Sequence, residues 1–281
     1  YGVFDPTTYC EYSLASVCIH QGARSFESSQ RVVGISPFSP PTVLQSGRPV
    51  ADHQDGTYVT TVGEKGDVGA TWGLGYQQKW GLLWNSAGIR RYAGLGHEGI
   101  GGVYVFERDG TFPLVSFDLE DYGLTLTDGT LWTDASRDIR TDLSSHDGYS
   151  SRSFLFQARD VQGYAGVGKM GVGDVDVSID GNYLWVANLY ERKIQRLAIG
   201  GSAGSPTLGS LEGWSLADGV TCAGSTGPFR AWAMDPQSDG TLIVAGLCTN
   251  ENATPAKATG PGAGVILRLN PANSGPAAWT T

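Results

Sequence analysis

Two aspartates, Asp174 and Asp176, stand two residues apart in GDVDVSID. Residues i and i+2 of a strand share a face, so both carboxylates project to one side. Such a pair can ligate Ca2+ together with backbone carbonyls. It can instead meet a cation, and Arg230, near the start of an equivalent strand, is the candidate. Asn188 ends YLWVANL where burial predicts an apolar residue. It reads as a further metal ligand or as a hydrogen-bonding group at the strand end. His97-Glu98 in LGHEGIGG sets an imidazole beside a carboxylate, the residue types of an acid/base pair. Neighbours in an extended loop point apart, which opposes that use. No Gly-x-Ser-x-Gly elbow occurs. The Gly-rich loop also lacks the Lys-Ser/Thr and following helix of a phosphate cradle.

The segments that must position these residues repeat. Gly66 to Ala87, Gly173 to Leu189 and Gly227 to Leu247 each read as an apolar strand, a polar turn and a second apolar strand. A third strand follows in each case: GGVYVFERDG, KIQRLAIGG and GVILRLNP. TFPLVSFDL is a candidate fourth strand. In YLWVANL, Tyr183, Trp185 and Ala187 alternate with Leu184, Val186 and Asn188. Both sets are largely apolar, which predicts a sheet buried on both faces. Asp180-Gly181 and Asp239-Gly240 are hairpin-turn pairs. Up-and-down sheets stacked face to face are the blades of a β-propeller.

The expected fold is therefore all-β, a β-propeller with about three clear blades over residues 66–281 and long polar loops. Residues 1–65 read as an irregular N-terminal segment containing a disulfide, within a single domain or the N-terminal portion of one. Residues 118–165 read as polar; 118–132 could carry a short hairpin around Asp128-Gly129, and 133–153 reads as a long exposed loop. Three blades do not close a ring. Either further chain or a partner chain completes it, or residues 1–66 and 110–165 hide degenerate blades. Trp72, Trp80, Trp84, Trp185 and Trp232 fall on strands and read as core. Trp132, Trp214, Tyr149 and Tyr164 fall in or near loops, where they could stack on a sugar ring.

Composition agrees with short strands and tight turns. There are 41 glycines, and charged residues make up 17%, against about 25% in ordinary soluble domains. The formal net charge of −9 repels a phosphate backbone, so no nucleic-acid partner is expected. No apolar run is long enough to span a membrane. The four cysteines are Cys10, Cys18, Cys222 and Cys248. None forms a C-x-x-C pair, which argues against a zinc site. Of three possible pairings, the most economical joins Cys10 to Cys18 and Cys222 to Cys248. Disulfides imply an oxidising, extracytoplasmic setting; four buried free thiols are the alternative.

Thr71-Trp72-Gly73-Leu74, Tyr76, Arg91 and Ala93-Gly94 lie in the first repeat. Asp174, Asp176, Ser178, Asp180-Gly181, Asn188-Leu189 and Arg192-Lys193 lie in the second, and Cys222, Pro228-Phe229 and Cys248 mark the third. In that order they resemble a bacterial secreted or cell-surface β-propeller family whose members often carry SdrD B-like surface modules. The resemblance covers about residues 66–270 and departs from the family pattern where Pro228-Phe229 precedes Arg230. It implies a secreted or surface-bound propeller and brings no enzymatic activity. The expected function is a non-enzymatic binding or assembly module for protein or glycan partners. The rival is a calcium-dependent hydrolase of the lactonase kind, with Ca2+ held on the propeller axis.

Overall fold

A computed structural model describes residues 61–107, 110, 112–133, 160–251 and 262–280. It also describes the turn at 28–29 and the backbone of the earlier strands within residues 13–60. Among the described residues four larger sheets follow one another along the chain, with one separate two-stranded hairpin. The first joins β1 (Ser13–Val17), β2 (Arg31–Pro37) and β5 (Thr60–Glu64), with a hairpin of β3 (Val43–Gln45) and β4 (Arg48–Val50) between the last two. A short helix, α1 (Lys65–Val68), leads to the second, built from β6 (Thr71–Gln77), β7 (Leu82–Ala87), β8 (Gly102–Glu107) and β9 (Val115–Asp118). A second helix, α2 (Val161–Gly166), precedes the third: β10 (Val172–Val177), β11 (Tyr183–Asn188), β12 (Lys193–Ser202) and β13 (Ser205–Ser215). The fourth holds β14 (Phe229–Pro236), β15 (Leu242–Cys248), β16 (Ala263–Leu269) and β17 (Trp279–Thr280). The last three sheets are antiparallel meanders whose spatial order is their chain order.

The sheets stack. Val33, Val62, Leu83 and Phe106 fill the space between the first and second. Trp84, Val105, Val175, Leu184 and Val186 lie between the second and third. Trp185, Ala187, Ile194, Ala231 and Val244 lie between the third and fourth. Strand β11 thus sends alternate side chains into two different cores, as its sequence predicts. The first strand of each meander is its inner strand: β6 packs on β10, and β10 on β14. Contact there is backbone to backbone. A Cβ on Gly73 would lie 2.4 Å from Val175 N, and one on Gly173 would lie 2.7 Å from Ala231 O. Radially arranged meanders with touching inner strands make the fold all-β and propeller-like.

Turn chemistry matches the expectation. Gly181 and Gly240 take φ of 71° and 82°, values L side chains rarely adopt. Asp180 accepts from Asn182 N at 3.1 Å and from Ser178 Oγ at 2.6 Å. Asp239 does the same for Thr241 N at 3.1 Å.

Some expectations fail. The stretch before residue 66 carries sheet strands. RVVGISP and TTVGE are short and diluted with Gly, Ser and Thr, which hid their pairing. The hairpin around Asp128-Gly129 is a turn without strands. Leu119, Leu124, Leu126 and Trp132 of this polar stretch enter the core. Helix α2 lies where no amphipathic helix stands out in the sequence; Asp160 caps it, accepting from Gly163 N at 2.7 Å. Of the predicted loop 133–153, all but Thr133 lies outside the described residues. Cys222 and Cys248 form a disulfide with Cα atoms 5.5 Å apart. Cys10, Cys18 and Tyr149 lie outside the described residues.

Candidate functional site

The three inner strands share an irregularity. Pairing slips between Thr71 and Leu74 in β6, between Val172 and Asp174 in β10, and between Ala231 and Ala233 in β14. Trp72 keeps the alternation of β6 and falls on its exposed set with Tyr76, whereas Trp232 sits at the slip in β14. The two indole rings meet edge to face at 6.1 Å, and Trp72 stays 42% exposed. The expectation that both are core is corrected for Trp72. The converse correction holds for Trp132 and Trp214, both buried. Tyr76, four residues beyond Trp72 on β6, is also exposed, as is Tyr164 on α2.

Asp174 and Asp176 lie on β10 between these tryptophans. Gly73, beside Trp72, abuts Asp174, and Met234, two residues past Trp232, donates its N–H to Asp174 Oδ2 at 2.8 Å. Asp174 Oδ1 accepts from Val175 N at 2.9 Å. Asp176 Oδ1 accepts from Val177 N at 2.7 Å. Burial pushes Asp174 up to about 7 against the pull of those two bonds. Burial likewise pushes Asp176 up to about 7, assisted by the charges of Asp174 and Asp235 and opposed by the Val177 bond. Among the described residues no cation contributes to either shift. Among the described residues no three His, Cys, Asp or Glu side chains converge as a metal set. A Ca2+ held by Asp174 and Asp176 would draw its other ligands from carbonyls and water.

Arg230 does not meet the aspartates, which corrects that pairing. Its Nε and Nη2 donate to Glu251 Oε2 and Oε1 at 2.9 and 2.8 Å. Its Nη1 donates to Lys169 O at 3.2 Å and to Leu189 O. A guanidinium fork fits a carboxylate bidentately, and here it also bridges the third and fourth sheets. Glu251 was missed because it sits in a Gly/Pro/Thr-rich stretch that reads as a flexible excursion.

Asn188 is a strand-end linker. The two hydrogens of its Nδ2 are shared among Thr125 O, Glu191 Oε2 and Gln195 Oε1 at 3.1, 3.0 and 2.8 Å, and its Oδ1 accepts from Glu191 N at 3.0 Å. Those bonds occupy both amide atoms and set Asn188 apart from the aspartates. Asn188→Ala should cost about 2 kcal/mol, because buried partners lose their bonds. A urea unfolding curve with an unchanged slope and a lower midpoint is the expected result.

His97 and Glu98 do converge, against the expectation for loop neighbours. Glu98 takes φ −83° and ψ 6° at the entry to a single 3-10 turn, which folds its side chain back. His97 Nε2 lies 3.2 Å from Glu98 Oε1. Ser116 on β9 joins them, because Tyr104 pairs with Ser116 across β8 and β9.

No protein-family model and no curated protein matches the chain. Several solved structures are similar in part. An oxidoreductase of Thermus thermophilus titled as a glucose dehydrogenase shares 15% identity at a TM-score of 0.33, over 70% of this chain and 44% of that one. A selenium-binding protein of Sulfolobus tokodaii shares 12% identity at a TM-score of 0.32, over 77% and 61%. The chain spans less than two thirds of either protein.

Proposed function

We propose that this chain is a binding module, secreted or displayed at a cell surface, that contacts a protein or glycan partner through its inner-strand surface without catalysis there. The carrying observation is the Trp72–Trp232 pair, partly open to solvent beside two carboxylates that no cation among the described residues neutralises. Exposed indoles supply large, rigid contact area, and aromatic anchors dominate binding energies. Carboxylates beside them accept hydrogen bonds from sugar hydroxyls or from a basic side chain. The disulfide supports an oxidising location, and no described helix is long and apolar enough to cross a membrane. Resemblance to the surface-propeller family points the same way. The far side of the fourth sheet, where Leu247 and Ile266 are exposed, is the surface on which a further sheet or a partner chain would sit.

The test is a glycan and extracellular-protein array, followed by calorimetric titration of each hit. Trp72→Ala should weaken binding at least tenfold, or about 1.4 kcal/mol, with little change in melting temperature. Binding indifferent to Trp72 and Trp232 would remove this surface from the reading. The hydrolase reading draws on the same two carboxylates. It predicts lactone turnover that a chelator abolishes and that Asp176→Asn loses; finding this would displace the binding reading.

A further inference from the structure

We propose that Ser116 is an activated hydroxyl, and that Ser116, Glu98 and His97 together hydrolyse small neutral carboxylic esters at the outer edge of the second sheet. This site is separate from the inner-strand surface and does not rest on the binding reading.

The geometry has the three parts that nucleophilic chemistry needs. Ser116 Oγ donates to Glu98 Oε1 at 2.6 Å, a base within reach of its proton. His97 Nε2 lies 3.1 Å from Ser116 Oγ and 3.2 Å from Glu98 Oε1. His97 Nδ1 lies 2.7 Å from the carbonyl oxygen of Asp67. A carbonyl only accepts, so Nδ1 carries a proton and Nε2 faces the serine and the carboxylate. The ring is fixed further by the edge of Tyr104 at 5.5 Å, whose hydroxyl accepts from Glu98 N at 3.4 Å. The side chains of His97 and Glu98 are 44% and 26% exposed, so a solute can reach them.

Charge selects the substrate. Asp118, two residues from Ser116, is pushed up by burial and by the negative charges of Asp121 and Glu98, against a bond from Glu120 N–H. An anionic phosphate ester would meet this acidic neighbourhood and be repelled. A neutral acyl ester is not.

The chemical step balances within the three residues. Ser116 Oγ attacks the ester carbonyl carbon while its proton passes to Glu98 Oε1. The tetrahedral intermediate collapses by breaking the bond from acyl carbon to alcohol oxygen. Glu98 passes the serine proton to His97 Nε2, which delivers it to the departing alcohol. Water repeats the sequence on the acyl-serine, releases the acid and restores the hydroxyl.

Incubating the full chain with a fluorophosphonate–biotin probe and mapping its peptides should place the label on Ser116, with loss of fluoride. Ser116→Ala should abolish that label. Glu98→Gln and His97→Gln should each slow labelling and 4-nitrophenyl acetate hydrolysis about 100-fold, with unchanged far-UV circular dichroism. The mapping uses the unaltered chain, so it decides the question even where a variant misfolds. Absence of label on Ser116 after prolonged incubation overturns the proposal. So does labelling at the parent rate in a folded Glu98→Gln or His97→Gln chain.

Discussion

At pH 8, Asp176→Asn should unfold at a higher urea concentration than the parent chain, and at pH 4 the two should coincide. The sign follows from where the carboxyl titrates. Burial holds Asp176 near 7 in the folded chain, whereas an unfolded aspartate titrates near 3.9. Below about pH 4 the group is protonated in both states, and the folded chain carries no penalty. Between about 4 and 7 the unfolded chain releases the proton and the folded chain keeps it, so stability falls as pH rises. Above 7 both are ionised and the full cost of a buried, unpaired charge remains. Three pH units correspond to about 4 kcal/mol, and partial solvent contact lowers this to about 2–3 kcal/mol. Asparagine keeps a carbonyl oxygen for the Val177 N–H, so the bond at 2.7 Å is retained. No gain at pH 8, or an equal change at both pH values, would remove the claim that this carboxylate strains the fold. A stability cost kept at one place on the surface is typical of a site retained for use.

The frame was legible because it depends on local pattern. YLWVANL alternates two apolar sets, and each set enters a different core. The Asp-Gly turns need only the freedom of glycine and a short acceptor. The pairings that make the sites were not local. Arg230 finds Glu251, 21 residues on, in a stretch whose composition suggests mobility. Ser116 reaches His97 only through the register that sets Tyr104 opposite Ser116, which no spacing encodes. Trp72 and Trp232 read as core because they fall on apolar strands, yet Trp72 lies on the exposed set of β6. The packing of β6 and β14 on β10 is what brings both indoles and both aspartates together.

Arg230→Met should lower stability by about 3–5 kcal/mol, the usual cost of breaking a buried ion pair from one side. The side chains of Arg230 and Glu251 are 9% and 15% exposed. Methionine fills much of the arginine stem's volume, so the loss is mainly polar. It strands Glu251 and takes a donor from the carbonyls of Lys169 and Leu189. In the intact chain burial raises Glu251, but the hydrogen bond and charge of Arg230, with the charge of Lys169, outweigh it and leave a net lowering. That contribution is present above the ordinary glutamate range and is lost as pH falls through the lowered value. Calorimetric melting at pH 7 should show a drop of roughly 5–9 °C for Arg230→Met, shrinking as pH falls through the lowered titration of Glu251. Arg230→Met with Glu251→Met should recover part of the loss, since the double change leaves no orphaned charge. A single-variant loss under about 1 kcal/mol, or a double variant no better than the single, would show that the pair does not tie the sheets. The clamp also has a positional role. Lys169 lies three residues before β10, so releasing its carbonyl loosens the entry to the strand carrying Asp174 and Asp176. Arg230→Met should therefore weaken partner binding at Trp72 and Trp232 even at temperatures where the chain remains folded.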